Sequence, residues 1–179
     1  MTSRARRVYA GRLLNVDLET VDAPDGSTLQ LELVHHPGAA AVVALASPIE
    51  SDDPSVLLLK QYRYAAGGPI WEVPAGVLEP GEAPAECARR ELKEETGAEA
   101  ERIEHLTTIY TTPGFTDERI HIFLATGITA GEPHPMADEF IEVRAMPISQ
   151  ALELIRNGEI ADGKSIVALL YVAGFRLGM

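Results

Sequence analysis

Alternating hydrophobic and polar positions predict β-strands over much of the first third of the chain. Two alternating runs, NVDLETV (15–21) and TLQLELV (28–34), flank the turn sequence APDG (23–26), a pattern that favours a β-hairpin. The runs AAAVVALA (39–46) and SVLLLKQY (55–62) are short and almost continuously apolar. Such runs are typical of strands that are buried on both faces.

The hydrophobic period becomes helical in the middle of the chain. After a short strand predicted in PIWEVPAG (69–76), residues 83–96 have helical spacing, with Pro84 in the first turn and Gly97 just past the end. Many strands with few helices predict an α/β (α+β) sandwich with a mixed sheet. The remaining predicted elements are three strands, RIEHLTTIY (102–110), RIHIFLATG (119–127) and FIEVRAMP (140–147), and two closing helices, ISQALELIRNG (148–158) and KSIVALLYVAGF (164–175).

Composition narrows the classes of partner. The 179 residues favour one domain, and the net charge of −12 disfavours nucleic acids and anionic membranes, which would be repelled. A small anionic substrate is compatible if metal or arginine neutralises it. The single cysteine, Cys87, excludes an intrachain disulfide and fits a reducing compartment. With no signal pattern and no apolar run long enough to span a bilayer, we predict a cytoplasmic protein.

The predicted helix carries an unusual group of carboxylates. Glu91, Glu94 and Glu95 have the i, i+3, i+4 spacing that places side chains on one helix face. Such a face is either solvated, with Arg90 offering ion pairs, or a site for a divalent metal, since Mg²⁺ and Mn²⁺ prefer hard oxygen ligands. Helical spacing alone leaves both interpretations open.

The segment from Gly76 to Ala98 resembles the Nudix box, G-x5-E-x7-R-E-U-x-E-E-x-G-U, in which U is a bulky aliphatic residue. Only the last position departs from the pattern, because Ala98 is smaller than the usual aliphatic residue. Nine fixed positions at the right spacing make a highly specific signal, and they are supplied by Gly76, Glu82, Arg90, Glu91, Leu92, Glu94, Glu95, Gly97 and Ala98.

The resemblance implies a metal-dependent hydrolase of nucleoside diphosphates linked to another group, with an α/β/α sandwich fold. Mg²⁺ is the implied ion and Mn²⁺ the alternative. Arg90 and Glu82 are implied to orient the ligands, and we assign Arg90 and Glu94 to the catalytic machinery. The implied metal ligands are the backbone carbonyl of Ala75 and the carboxylates of Glu91, Glu94 and Glu95.

Features outside the box are similar to the ADP-ribose pyrophosphatase branch of the family. They are KQYRY followed by WEVPAG, and Pro113, fifteen residues beyond the box. Arg63 can hold a phosphate or the terminal ribose, Glu72 can accept from an adenine amino group, and the backbone of Gly114 can approach the ligand. ADP-ribose is therefore the expected substrate. The alternative is another nucleoside diphosphate sugar or a dinucleotide.

Late loops offer candidates for the catalytic base. In the family an acidic residue between late strands activates the water or binds a further metal ion. MADEF supplies Asp138 and Glu139, of which we favour Glu139 because it stands directly before FIEV. Glu118 is a second candidate for the base and is also assigned as a metal ligand.

Two other functions compete with this interpretation. GEIADGKS (158–165) matches the phosphate-binding loop G-x-x-x-x-G-K-S, but a helix-like segment precedes it instead of a strand, and Glu159 and Asp162 would repel phosphates. A non-catalytic Nudix binding module would be expected to lack box carboxylates, and all are present. No site role is predicted for the histidines, and Cys87 is interpreted as a packing residue.

The predicted organisation has two parts. Residues 1–37 form an N-terminal β-strand region, and residues 38–179 form the Nudix hydrolase domain. Members of the ADP-ribose pyrophosphatase branch are commonly homodimers that exchange N-terminal strands and complete each other's sites. The resemblance therefore implies a homodimer.

Overall fold

Seven strands form a mixed sheet at the centre of the molecule, and a separate three-stranded sheet precedes it. The structure is a computed structural model that describes residues 4–134 and 140–179. In chain order the strands are β1 (Arg4–Ala10), β2 (Asn15–Asp22), β3 (Thr28–His35), β4 (Ala39–Leu45), β5 (Ser55–Arg63), β6 (Gly68–Glu72), β7 (Ala75–Val77), β8 (Glu99–Tyr110), β9 (Arg119–Thr129) and β10 (Ile141–Pro147). The helices are α1 (Pro84–Thr96), α2 (Ile148–Arg156) and α3 (Gly163–Val172), with a 3₁₀ turn at Tyr64–Ala66 and a π-helical turn at Ala173–Leu177.

Strand β4 lies in the middle of the large sheet and is buried on both faces. The large sheet has the order β10-β5-β4-β9-β8, with β6 paired to β5 and β7 paired to β4. Strand β4 runs parallel to β9 and antiparallel to β5 and β7. Because side chains alternate along a strand, Val43 and Leu45 join the core on one face, and Val42 and Ala44 join the core on the other.

One helix covers one face of this sheet, and two helices cover the other. Helix α1 buries Cys87, Ala88 and Leu92 against the even-numbered side chains of β4. Helices α2 and α3 bury residues such as Ile148 and Leu169 against the odd-numbered side chains. Full burial of one such aliphatic side chain contributes about 1.5–3 kcal/mol. The predicted α/β/α sandwich with a mixed sheet is therefore confirmed.

The N-terminal sheet has the order β1-β2-β3 and is antiparallel throughout. The hairpin of β2 and β3 matches the predicted runs, whereas β1 was not predicted because RARRVYA lacks alternation. Backbone hydrogen bonds tie β3 to the loop after β8: the amide of Val34 donates to the carbonyl of Phe115 at 2.8 Å, and that of Asp117 donates to Val34 at 3.3 Å. The division at residues 37 and 38 stays a prediction.

The single strand predicted in residues 69–76 is two strands in the structure, β6 and β7, which pair with different neighbours. The other predicted elements are present with shifted ends. Strand β8 begins three residues earlier than predicted, and α2 ends at Arg156 instead of residue 158. The last predicted helix is α3 followed by the π-helical turn. Among the described residues, no helix combines the length and the apolar character needed to cross a membrane.

Candidate active site

Strand β7, a loop and helix α1 bring the residues of the Nudix-like segment together. Gly97 ends α1 with a φ of 72°, a left-handed conformation that suits glycine. In the loop, the amide of Glu79 donates to Oε2 of Glu82 at 2.9 Å, and the amide of Glu82 donates to the carbonyl of Glu79 at 3.0 Å. The loop is closed on itself, which fixes Glu82 beside the helix.

Gly76 lets α1 pack directly against β7. A Cβ atom at this position would lie 1.8 Å from Oε1 of Glu91 and 2.0 Å from its Cδ. Non-bonded heavy atoms cannot approach so closely, so a larger residue would force the carboxylate or the helix to move. The first glycine of the box is therefore required by the position of Glu91.

The guanidinium of Arg90 links three carboxylates. Its Nε and Nη2 donate to the two oxygens of Glu82 at 2.8 and 3.0 Å. Its Nη1 donates to Oε1 of Glu91 at 2.6 Å and to Oε2 of Glu94 at 3.2 Å. Nη2 also donates to the carbonyl of Val77 at 3.1 Å. Arg90 thus connects the loop, the helix and β7.

The three glutamates on the helix differ in exposure. Glu91 and Glu95 are 8% and 2% exposed, whereas the side chain of Glu94 is 43% exposed. Oε2 of Glu95 accepts a hydrogen bond from the amide of Ala75 at 2.9 Å. A solvated helix face is therefore the wrong interpretation for Glu91 and Glu95.

Local electrostatics set two pKa values in this network. Hydrogen bonds from Arg90 lower the pKa of the Glu82 carboxyl to about 2, against a smaller opposing effect of burial. Burial, reinforced by the charges of Glu82 and Glu91, raises the pKa of the Cys87 thiol to about 12. Glu82 is consequently ionised at neutral pH, and Cys87 is a neutral packing residue, as interpreted from the sequence.

The oxygen atoms on this face of α1 and at Ala75 are suitable ligands for a hard divalent cation. Carboxylate and carbonyl oxygens are the ligands that Mg²⁺ prefers. Arg90 brings one positive charge to Glu91 and Glu94, and buried Glu95 lies one helical turn after Glu91. A cation would neutralise this concentration of negative charge. Glu91, Glu94, Glu95 and the carbonyl of Ala75 are the residues that would hold it, and the assignment stays a prediction.

A second acidic group lies in the N-terminal sheet. Within the described ranges, ligand atoms of Asp17, Glu19 and His35 lie within 4.8 Å of one another. Asp17 is already bound by the guanidinium of Arg7, and His35 contacts Asp117 at 2.6 Å through Nδ1. We interpret this group as a polar connection between the N-terminal sheet and the loop that carries Asp117.

A cleft of about 510 Å³ opens beside β7. This volume is within the range of small-molecule sites, about 300–1,000 Å³. Three predicted site residues line it, namely Arg63, Ala75 and Glu118. Lys164, for which the sequence predicted no role, lines it as well.

Arg63, which lines the cleft, is paired with the buried carboxylate of Glu72. Nε and Nη2 of Arg63 each donate to one oxygen of Glu72 at 2.8 Å. Lys164 also donates to Oε2 of Glu72 at 2.7 Å. Burial would raise the pKa of the Glu72 carboxyl, but the hydrogen bonds and charges of Arg63 and Lys164 outweigh it and lower this pKa. An adenine amino group would therefore have to share or replace a bond that Glu72 already makes.

The loop between β8 and β9 carries the other predicted substrate residues. Pro113 and Gly114 are exposed on this loop, and the cleft is lined by residues on either side of them, Thr111 and Glu118. Oε2 of Glu118 accepts from the Thr111 hydroxyl at 2.8 Å, and Oε1 lies 3.5 Å from Nδ1 of His36. His36 lines the cleft too, although no site role was predicted for the histidines.

The favoured catalytic base is not among the residues that the structure describes. Glu139 and its alternative Asp138 lie in the range 135–139, outside the described residues. Glu118 is described and lies at the cleft. The choice between these candidates stays a prediction.

The phosphate-loop interpretation of residues 158–165 is excluded by the local structure. The segment follows helix α2 instead of a buried strand, and Asp162 caps α3 by accepting from the amide of Ser165 at 3.0 Å. A carboxylate thus occupies the position beside the backbone amides where a phosphate would bind.

Comparisons with known proteins agree with the Nudix resemblance. The chain matches the NUDIX domain model over residues 35–169. It is 37% identical to an ADP-ribose pyrophosphatase of Bacillus subtilis over 173 residues, covering 96% of this chain and 91% of that protein. It is 36% identical to a methanol dehydrogenase activator of Bacillus methanolicus over 173 residues, with the same coverage of 96% and 91%.

A solved structure shares the fold. The crystal structure of an ADP compounds hydrolase superposes with a TM-score of 0.81, covers 98% of this chain and 92% of its own, and is 20% identical in sequence. The family model and the two relatives, together with the glutamate helix packed on β7, lead to one conclusion: this chain belongs to the NUDIX family.

Proposed function

We propose that this protein hydrolyses ADP-ribose to AMP and ribose 5-phosphate with a divalent metal, Mg²⁺ in the first instance. The observation that carries the proposal is the position of Glu91 and Glu95, buried on α1 against β7, beside a cleft lined by Arg63. The similarity to an ADP-ribose pyrophosphatase over 96% of the chain supports the choice of substrate.

The position of each residue around the cleft suggests its proposed catalytic role. A bound divalent cation would neutralise the diphosphate and lower the pKa of the attacking water. Glu91, Glu95, Glu94 and the carbonyl of Ala75 would hold it, and Arg90 would orient the carboxylates of Glu91 and Glu94, to which it donates. Glu139, or alternatively Glu118, would take the proton from the water.

The proposed substrate contacts are residues of the cleft and of the loop between β8 and β9. Arg63 would hold the diphosphate or the terminal ribose, with Glu72 fixing its guanidinium. Pro113 and Gly114 would contact the substrate from the exposed loop. The space where a Cβ of residue 114 would lie has no heavy atom within 4 Å, which leaves room for a ligand. Glu72 would reach an adenine amino group only by exchanging one of its present hydrogen bonds.

The proposal also includes the oligomeric state and the cellular location of the protein. A homodimer is supported by β1, in which every residue is exposed. A cytoplasmic location is supported by the free thiol of Cys87.

Turnover of a substrate panel tests the function. ADP-ribose, other ADP- and GDP-sugars, a flavin dinucleotide and a diadenosine compound would be assayed with Mg²⁺ and with Mn²⁺, and products identified in oxygen-18 water. We expect AMP and ribose 5-phosphate, with the label showing which phosphorus is attacked. Faster cleavage of another nucleoside diphosphate compound would replace the substrate. Binding of ADP-ribose without metal-dependent cleavage would favour the non-catalytic module.

A charge-neutral variant tests the metal assignment. Glu95→Gln should reduce turnover by orders of magnitude, because it removes a negative charge from a buried ligand position. Glu99→Gln is the matched control, since Glu99 is a nearby exposed glutamate paired with Lys93 at 2.6 Å. Near-normal turnover of Glu95→Gln at saturating Mg²⁺ would contradict the assignment.

A further inference from the structure

The turn that enters α3 is bonded to the end of β6. Nζ of Lys164 donates to Oε2 of Glu72 at 2.7 Å and to Oδ2 of Asp162 at 2.9 Å. The amide of Val73 donates to the hydroxyl of Ser165 at 2.9 Å. Ser165 is fully buried, so this connection is shielded from water. The turn therefore fixes the segment that leads from Glu72 to β7.

Two cations share the carboxylate of Glu72. Its Oε1 accepts from Nε of Arg63, and its Oε2 accepts from both Nη2 of Arg63 and Nζ of Lys164. The side chain of Glu72 is 3% exposed and that of Lys164 is 13% exposed, whereas that of Arg63 is 43% exposed. Glu72 is thus the buried member of the group, and Arg63 is the more exposed of the two cationic residues that line the cleft.

The charges of the residues around Arg63 also affect the binding of a diphosphate. The chain carries a net charge of −12, and Glu118 is among the residues that line the cleft. A diphosphate entering the cleft needs compensating positive charge. Arg63 and Lys164 bring two positive charges to this group, and Glu72 and Asp162 bring two negative charges. Loss of Lys164 would leave the group with a net negative charge beside Arg63, which would weaken the attraction of a diphosphate.

We infer that Lys164 is a positioning residue that sets the affinity for the nucleoside diphosphate substrate. It holds the Glu72 carboxylate, which in turn holds the guanidinium of Arg63 against the cleft. This role rests on the proposed function and adds to it a residue outside the Nudix-like segment. Because Lys164 acts on substrate binding, its loss should change KM more than kcat.

Kinetics of Lys164→Met test the inference. KM for ADP-ribose should rise on the order of tenfold, the equivalent of one hydrogen bond to a charged group, while kcat stays within about a factor of two. Lys164→Arg, which restores a cationic donor, should recover most of the affinity. Lys60→Met is the matched control, because the Lys60 ammonium lies 5.6 Å from the Trp71 ring centroid and does not line this cleft.

Direct binding separates the inference from the proposed function. Calorimetric titration of ADP-ribose in the presence of EDTA should show a Kd raised to the same extent in Lys164→Met. Circular dichroism would establish that the variant is folded, and Lys164→Gln would replace it if it is not. Wild-type cleavage with unchanged KM and Kd in the folded variant would overturn the inference alone. Absence of both binding and cleavage in the wild-type protein would overturn the proposed function and the inference with it.

Discussion

At the scale of single residues, two arginines bind glutamates in different ways. Arg90 is 26% exposed in its side chain and spreads its donors over Glu82, Glu91 and Glu94. Arg63 is 43% exposed and gives two donors to Glu72 alone. Arg90 is therefore placed to shape the acidic face, and Arg63 to meet a ligand in the cleft.

Replacing Arg90 by lysine should keep the charge and lose the branched geometry. A lysine ammonium cannot reproduce the two parallel bonds to Glu82 together with those to Glu91 and Glu94. We expect kcat/KM or apparent Mg²⁺ affinity to fall about 10- to 100-fold, as for other residues that orient metal ligands. Steady-state kinetics over a Mg²⁺ titration would measure it.

The neighbouring arginine provides the control for this change. Arg89 is exposed on the same helix and donates to the carbonyl of Ala100 at 2.8 Å, away from the glutamates. Arg89→Lys should leave both kinetic values near those of the wild type. Equal losses in the two variants would mean that the Arg90 effect reflects general helix stability.

The lowered pKa of Glu82 predicts a pH-dependent contribution to stability. Its pKa is about 2 in the folded protein against an ordinary value of 4.5. The folded state therefore favours the ionised carboxyl, a contribution that is complete above pH 4.5 and is lost as the pH falls toward 2. Glu82→Gln should cost about 1 kcal/mol at pH 7 and less at pH 3.

Urea unfolding of the wild type and Glu82→Gln at both pH values would measure this difference. Glu50→Gln is the control, since Glu50 is exposed in the segment between β4 and β5. A stability gap for Glu82→Gln that is constant between pH 7 and 3 would contradict the ion-pair explanation.

At the scale of elements, the packing of α1 on β7 depends on Gly76. Gly76→Ala would place a methyl group 1.8 Å from Oε1 of Glu91. Relief of this overlap must displace the carboxylate or separate the two elements, at a cost of about 1–3 kcal/mol. We expect a lower melting temperature together with at least a tenfold loss of turnover, because Glu91 leaves its position.

Gly68→Ala separates this effect from the general consequence of placing alanine in a strand. Gly68 begins β6, and its Cβ position has no heavy atom within 4 Å. That variant should keep turnover within about a factor of two, with little change in stability. Full activity of Gly76→Ala would mean that the approach of Glu91 to Gly76 is not needed for function.

The elements that were predicted correctly are those with a strong local pattern. The helix at residues 84–96 has periodic apolar residues and clear end signals. The run that forms β4 is short, apolar and continuous, which is typical of a buried strand. Strand β1 lacks such a signal, because each of its residues is exposed and no alternation is imposed by a core. Its pairing with β2 supplies the hydrogen bonds that the sequence pattern does not indicate.

Only the part of the candidate site whose residues are close together in the sequence was predictable. Box spacing identified Glu91 and Glu95, since both lie on one helix. The pairing of Glu72 with Lys164 joins residues 92 positions apart and follows from the docking of α3 on β6, which no local pattern encodes. The GKS sequence at residues 163–165 contains Lys164, but neither its match to a phosphate-binding loop nor a helix–turn–helix connection indicates a contact with Glu72.

At the scale of the whole molecule, the N-terminal sheet leaves apolar side chains exposed. Every residue of β1 is exposed, and on β3 the apolar side chains of Leu29 and Leu31 are 46% and 37% exposed. These two leucines project from the same face of the strand, because they are two residues apart. An exposed edge strand next to an apolar face is a surface that proteins usually cover.

If a second copy of the chain packs against this sheet, charged side chains introduced on β3 should dissociate the dimer. We expect a dimer of the wild-type protein in sedimentation velocity, and a monomer when Leu29→Lys and Leu31→Lys are combined, because burying two ammonium groups would cost several kcal/mol. Leu170→Lys, on an exposed position of α3, should leave the dimer intact. A wild-type monomer at assay concentration would refute the dimer. A dimer that survives the double change would place the interface away from this face of β3.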